Sequence, residues 1–367
     1  MAYATIFRDE DGTMQRGLDE AAMAALVERP RGLLWMHVTE TTEDDVALLG
    51  RVFSFHPLAL QECLSDRYQR PKAEHYADHL FVMLHGIDHD ASGELVVTTE
   101  LDLFIGPGYV VTASLSRLEG IEQLLASAGD DERTLGRGSA MLGYDAINAL
   151  IGGVFPTIDL MAEFTDGVEE TALTHPHREL LPDILRLKRS SLRVHRVLVP
   201  QRDVLNLLGR GDSELIGREA LPYYRYLYDQ VVRMEDLTQS IRERADATLT
   251  TYLSAVGIRQ NETMRVLSIV ASVFLPLTLL TGLYGMNFAY MPGLAWRGGF
   301  FAVVGVMLGV SGAVVWFFWA RDLIGAGRRR AARVLNFRVD PSRIRDAVAE
   351  ANRLREAVLD PRRIARR

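Results

Sequence analysis

The side chains most often used for chemistry are few and poorly spaced in this chain. There are nine histidines, of which His75 and His79 stand four apart, as do His85 and His89, while His175 and His177 flank a proline. Four-residue spacing puts two imidazoles on one face of a helix, where they can hold a metal. The second pair falls in or beside a run that reads as a strand, where four residues span about 13 Å. Cys63 is the lone cysteine, which rules out an internal disulfide and a cysteine-pair metal site. No phosphate-cradling glycine loop, HExxH or GxSxG motif occurs. Enzyme chemistry and a resident cofactor are therefore not expected.

The most distinctive stretch is uncharged. Residues 280–296 read LTGLYGMNFAYMPGLAW, rich in glycine, amide and aromatic groups and without a titratable acid or base. Work done there must come from dipoles and shape. The flanks explain why: Val266 to Trp296 contains no Asp, Glu, Lys or Arg, and after Arg297 a second uncharged run covers Gly298 to Ala320. A membrane-spanning helix needs about 20 mostly apolar residues, so Val266–Tyr284 and Gly299–Trp319 each qualify. A buried core helix of this length rarely lacks charge on every face. Thr278 on the first span can offer a hydroxyl to a polar path, whereas Ser268 and Ser272 fit helix packing or bonds to their own backbone.

Arg259 and Arg265 precede the first span, and Arg321, Arg328, Arg329, Arg330 and Arg333 follow the second. By the excess of basic residues on the inner side, both termini are expected in the cytoplasm and the spans in the inner membrane. The opening MAYATIFRDEDG has no apolar core of the signal-peptide kind. Residues 321–367 carry a net +8 and the first 320 residues a net −15. The tail suits anionic lipid head groups, and the acidic front suits solubility or the gathering of cations. Nothing points to a nucleic-acid partner.

The remaining elements position this hairpin. YATIF (3–7), LLWMHV (33–38), HLFVMLHGI (79–87), ELVVTTELDLFI (94–105) and YVVTAS (109–114) read as strands. Thr42, followed by Glu43 and Asp44, opens a helix through Phe53, and HPLALQECL (56–64) reads as another. From Met141 the pattern turns helical, over 141–173, 178–208 and 218–262. The last has apolar residues three or four apart and no proline or glycine between Tyr223 and Val256, so it runs as one rod into the first span. The expected organisation is an α/β domain over residues 1–140, helices and stalk over 141–262, the membrane hairpin over 263–320 and a basic tail over 321–367. Asp340-Pro341 starts an amphipathic helix in that tail.

The tripeptide GMN at 285–287, inside YGMNF and followed by MPGLAW, resembles the signature of the CorA family of divalent-cation channels. FHPLALQECLSDRYQRPKAEHYADHLFVML (55–84), LKRSSLRVHRVLVPQRDVLNLL (187–208) and TYLSAVGIRQNETMRVLSIVASVFLPLTLLTGLYGMN (251–287) extend the likeness. The resemblance implies a homopentameric funnel: an α+β cytoplasmic domain, a long stalk helix entering the membrane, and two C-terminal transmembrane helices. It implies a selectivity filter of Gly285, Met286 and Asn287, with Asn287 meeting the hydrated ion. It also implies pore-lining positions at Thr278, Leu275, Leu267 and Asn261. The transported ion would be Mg2+, with Co2+ and Ni2+ alongside. A Zn2+ transporter like the ZntB branch is the alternative, and a non-conducting membrane sensor or scaffold is a third reading.

The chain departs from the family pattern in two places. After GMN it has Ala289 and Gly293 where many members have acids, and Tyr226 and Thr250 fall where others place ion-sensing carboxylates. Asp229, Glu243 and Asp246 are the acids left for a regulatory role.

Overall fold

The computed structural model describes residues 3–65, 67–89, 95–129, 132–286 and 298–321. Its strands are β1 (Tyr3–Asp9), β2 (Met14–Arg16), β3 (Gly32–Thr39), β4 (Lys72–His75), β5 (Leu80–Asp88), β6 (Val97–Gly106) and β7 (Tyr109–Ser114). They form one sheet in the order β2-β1-β3-β7-β6-β5-β4, in which only β3 and β7 run parallel. The helices that join and follow them are α1 (Glu20–Glu28), α2 (Glu43–Phe53), α3 (Pro57–Glu62), α4 (Glu119–Ala128), α5 (Glu132–Gly136), α6 (Ser139–Gly152), α7 (Val154–Thr174), α8 (Leu180–Arg210), α9 (Leu221–Tyr284) and α10 (Gly299–Ala320).

Strand periodicity divides the core. On β3, Leu33 and Trp35 enter one apolar cluster, whereas Leu34, Met36 and Val38 enter the other; on β5, Leu80, Val82 and Leu84 are set against Phe81 and Met83. The first cluster is closed by α4, α6, α7, α8 and the beginning of α9, and the second by α1, α2 and α3. A sheet covered on both faces explains the nearly continuous apolar runs of β3, β5 and β7. The hairpin between β6 and β7 turns at Gly108, whose φ of +88° suits glycine. At α2, Thr42 accepts from the Asp45 N–H while Asp45 accepts from the Thr42 N–H, a reciprocal cap.

The segment 141–173 is not one helix. It divides at Gly152-Gly153 into α6, sunk in the first cluster, and α7. Together they are long and apolar enough to cross a membrane by composition, but α6 is packed against the sheet and α7 carries Asp159, Glu163, Asp166, Glu169 and Glu170. They belong to the folded core. The chain divides into two compact units, residues 1–256 and 257–367.

Candidate pore face

α9 is a continuous helix of 64 residues, and it runs beyond the breaker-free stretch from Tyr223 to Val256 through Gly257 and Pro276 to Tyr284. Within the second unit, its apolar stretch and α10 each reach a mean hydropathy of 2.2, and neither apolar window is buried at all. That much bare apolar surface is not stable in water and requires lipid or other protein chains. The two sequence-predicted spans therefore correspond to the end of α9 and to α10.

Leu275 (74% exposed) and Leu267 (61% exposed) are among the barest side chains, and Thr278 and Asn261 are also exposed. Leu275 and Thr278 share a shallow groove of about 650 Å³ with Ala271, Phe274, Leu279, Gly282, Leu283 and Met286. Leu267 lies on the same side, within ~80° around the axis, and Asn261 is turned ~100° from Thr278, at 3.6 residues per turn. The helix thus brings Leu275, Thr278 and Met286 together, with Leu267 ~20° from Thr278 and Asn261 ~40° from Leu275, so the four expected pore-lining positions fall within a sector of ~120°.

Every serine and threonine hydroxyl on the span is committed in one direction. Ser268 donates to the Met264 carbonyl (2.8 Å), Ser272 to Ser268 (2.7 Å), Thr278 to Phe274 (2.8 Å) and Thr281 to Leu277 (3.0 Å). Such bonds hide the hydroxyl hydrogen in lipid and leave the oxygen as an acceptor only. The water shell of a cation presents hydrogens outward, so an acceptor is what it needs. Pro276 has no N–H to give the Ser272 carbonyl, which adds another acceptor to the helix.

The helix ends at the glycine of the GMN stretch. Gly285 donates to Thr281 at 2.9 Å and Met286 to Leu283 at 3.4 Å. A β-carbon at residue 285 would sit 2.9 Å from the Thr281 carbonyl oxygen, closer than side chains come, so this exit requires glycine. Asn287 lies outside the described residues, as does the basic tail with its expected helix at Asp340-Pro341.

The three acids considered for regulation are exposed and dispersed. Asp246 is paired with Lys188 at 2.6 Å, Glu243 accepts from Gln239 at 2.8 Å, and Asp229 borders a surface pocket with Arg210 and Arg225. Asp229 and Glu243 are about 21 Å apart along the axis. No set of three metal-ligating side chains gathers among the described residues. The histidine pairs are not helical: His75 ends β4, His79 precedes β5, and His85 and His89 lie in and after β5. His79 is bound to Asp78 at 2.7 Å and His85 to Glu100 at 3.3 Å.

Sequence reading missed the buried polar groups of the first unit. Thr39 donates to Glu122 at 3.2 Å, and His37 is hydrogen-bonded to Thr39 through Nε2 at 3.0 Å and to Thr112 through Nδ1 at 2.9 Å. Thr112 in turn accepts from the Trp35 indole N–H at 3.0 Å. Burial lowers the His37 pKa, against the opposing pull of Glu122. On β6, burial pushes Asp102 well above the usual carboxylate range, helped by Glu100, and burial pushes the Cys63 thiol up beside it. A strand reading of ELDLFI places Asp102 on one face but cannot tell that both faces are covered.

A model of the family described as CorA-like Mg2+ transporter protein matches residues 30–330. The chain belongs to that family. The cobalt/magnesium transport protein CorA of Thermotoga maritima is 30% identical over 286 residues, 77% of this chain and 81% of that protein. The solved CorA magnesium transporter of Methanocaldococcus jannaschii superposes with a TM-score of 0.75 at 21% identity, over 87% of this chain and 98% of the other. The zinc transport protein ZntB of Klebsiella pneumoniae is 22% identical over 77% of this chain and 85% of its own length. The expected CorA-like fold, an α/β head with a long helix and two apolar C-terminal helices, holds. The family is one of divalent metal-ion transport across membranes, not of catalysis.

Proposed function

We propose that five copies of this chain form a channel in the inner membrane, with both termini cytoplasmic, that passes hydrated Mg2+ inward, with Co2+ and Ni2+ as further cargo. Two apolar helices cannot enclose a path for an ion, so several copies must share one axis. The observation that carries this reading is the charge-free face of α9, where Thr278 offers an acceptor-only oxygen between apolar turns and leads directly to Gly285. Mg2+ sheds its water reluctantly. A ring of Asn287 amides, assisted by the carbonyls of Gly285 and Met286, grips the ion through that water. Rings of Leu275 and Leu267 close the path by dewetting, and Asn261 receives the ion at the inner end. Two charges crossing 100 mV release about 4.6 kcal/mol, enough to drive entry.

Zinc is the second reading, favoured by the absence of acids at Ala289 and Gly293 and by the likeness to the zinc transport protein. Regulation by internal ion falls to Asp229, Glu243 and Asp246, and the arginine-rich tail contacts anionic lipid. Uptake of Mg2+ against Zn2+ into proteoliposomes separates the readings. Mg2+ influx that Asn287→Ala reduces at least tenfold is the expected result; Zn2+ uptake alone assigns zinc, and absence of flux for either ion assigns a sensor or scaffold. Equal flux in Asn287→Ala removes that residue from the filter.

A further inference from the structure

α7 and α8 each carry a row of like charges on the face turned away from the core. On α7, Asp159, Glu163, Asp166 and Glu170 recur at steps of four, three and four, all exposed. On α8, Arg186, Arg189, Arg193 and Arg196 recur at three, four and three, likewise exposed. Like charges at these spacings destabilise their own helix, whereas alternating signs would support it. Solubility alone does not require two segregated rows of opposite sign.

Some of these groups are engaged within the chain. Asp166 reaches Arg244 of α9, and Arg193 donates to the Val96 carbonyl at 2.7 Å. Asp159, Glu163, Glu170, Arg186, Arg189 and Arg196 form no ion pair among the described residues. Each row is bordered by two exposed leucines: Leu160 and Leu173 on α7, and Leu185 and Leu192 on α8. Two rows of opposite sign on one chain are electrostatically complementary, which is the property that sets partner choice and register at an interface.

We propose that the acidic row of α7 in one copy docks on the arginine row of α8 in the next copy. The two surfaces are different and complementary, so the contact can repeat head-to-tail from copy to copy, and such a contact makes a ring where its rotation closes. A two-fold contact through one row alone would set like charges against each other, and a reciprocal one through both rows would stop at two copies. The inference rests on the multi-copy channel proposed above and names the contact that arranges its cytoplasmic parts.

The test uses full-length chains in detergent, one carrying Glu163→Cys and one carrying Arg189→Cys, produced separately or together and treated with a flexible bis-maleimide. Cys63 is buried with its thiol pKa raised, so it gives little background. Cross-linked dimers are expected only on co-production, and their absence while native mass still reports an oligomer overturns this contact but leaves the channel standing. A monomeric mass overturns the channel itself. Cross-linking of either variant alone, or a native mass that stops at the dimer, signals a two-fold contact and also overturns the proposal. As a second arm, Glu163→Arg lowers the oligomer fraction at least tenfold at fixed concentration, and combining it with Arg189→Glu in the same chain restores it. If Arg186→Glu with Arg189→Glu keeps the oligomer and loses only binding to phosphatidylglycerol vesicles, the arginine row belongs to lipid and the proposal fails.

Discussion

Residues 1–256 and residues 257–320 solve opposite problems with the same helical and strand rules. In the first unit the apolar side chains are hidden on both faces of the sheet, and buried polar groups such as His37 and Thr112 are chained to partners. In the second unit the apolar side chains are bare and the polar ones fold back on their own helix. The first unit is stabilised by what it encloses within one chain. The second becomes meaningful only with surroundings, and its function lies on surfaces that a single chain leaves open.

Substitutions in the two regions should therefore move different quantities. Trp35, fully buried and bonded to Thr112, anchors the first unit; Trp35→Ala should cost about 3–5 kcal/mol. Chemical denaturation followed by circular dichroism measures this, and a loss below about 1 kcal/mol would show that the sheet core is not the main source of stability. Thr278→Val should do the reverse. It keeps the shape, removes the acceptor and lowers ion flux about tenfold, the rate equivalent of roughly 1.4 kcal/mol, with an unchanged denaturation midpoint. Thr42→Ala removes the cap of α2 and should cost about 1 kcal/mol, with flux per folded channel unaltered.

The smallest expected effects are in the pH dependence of the first unit. His37 titrates lower in the fold than its unfolded value of 6.5, so its contribution is complete above that value and is lost as pH falls through the folded one. Asp102 is shifted up from 3.8, so its contribution is present at acid pH and is lost as pH rises through the folded value. His37→Gln should flatten the decline on acidification, and Asp102→Asn should flatten the opposite slope. Urea melts across this pH range distinguish them, and parallel profiles for wild type and both variants would remove these residues from the account.

The sequence exposes features that depend on local pattern. The two spans, the five long strands and the capped α2 follow from runs, alternation and a single threonine, and α10 begins at Gly299 as its uncharged stretch predicts. β2 and β4, of three and four residues and partly exposed, carry too little alternation to be noticed. The break between α6 and α7 is hidden because two glycines inside an apolar helical run are compatible with either outcome. At the candidate pore, Thr278 stood out by its chemistry, and its groove with Leu275 follows from three-residue spacing. The commitment of its hydrogen to Phe274 is a matter of rotamer, which spacing does not specify. The charged rows of α7 and α8 were present as spacing, but their meaning depends on which helix faces are covered.

Ion passage along α9 requires the helix to have a wet face and a dry one. Thr278→Cys and Leu280→Cys, placed about 160° apart around the helix, can be challenged in proteoliposomes with a small charged thiol reagent while Mg2+ flux is recorded. Rapid block at residue 278 with none at residue 280 is predicted. Block at residue 280 alone, or at neither position, would place the ion path elsewhere and contradict the proposed channel.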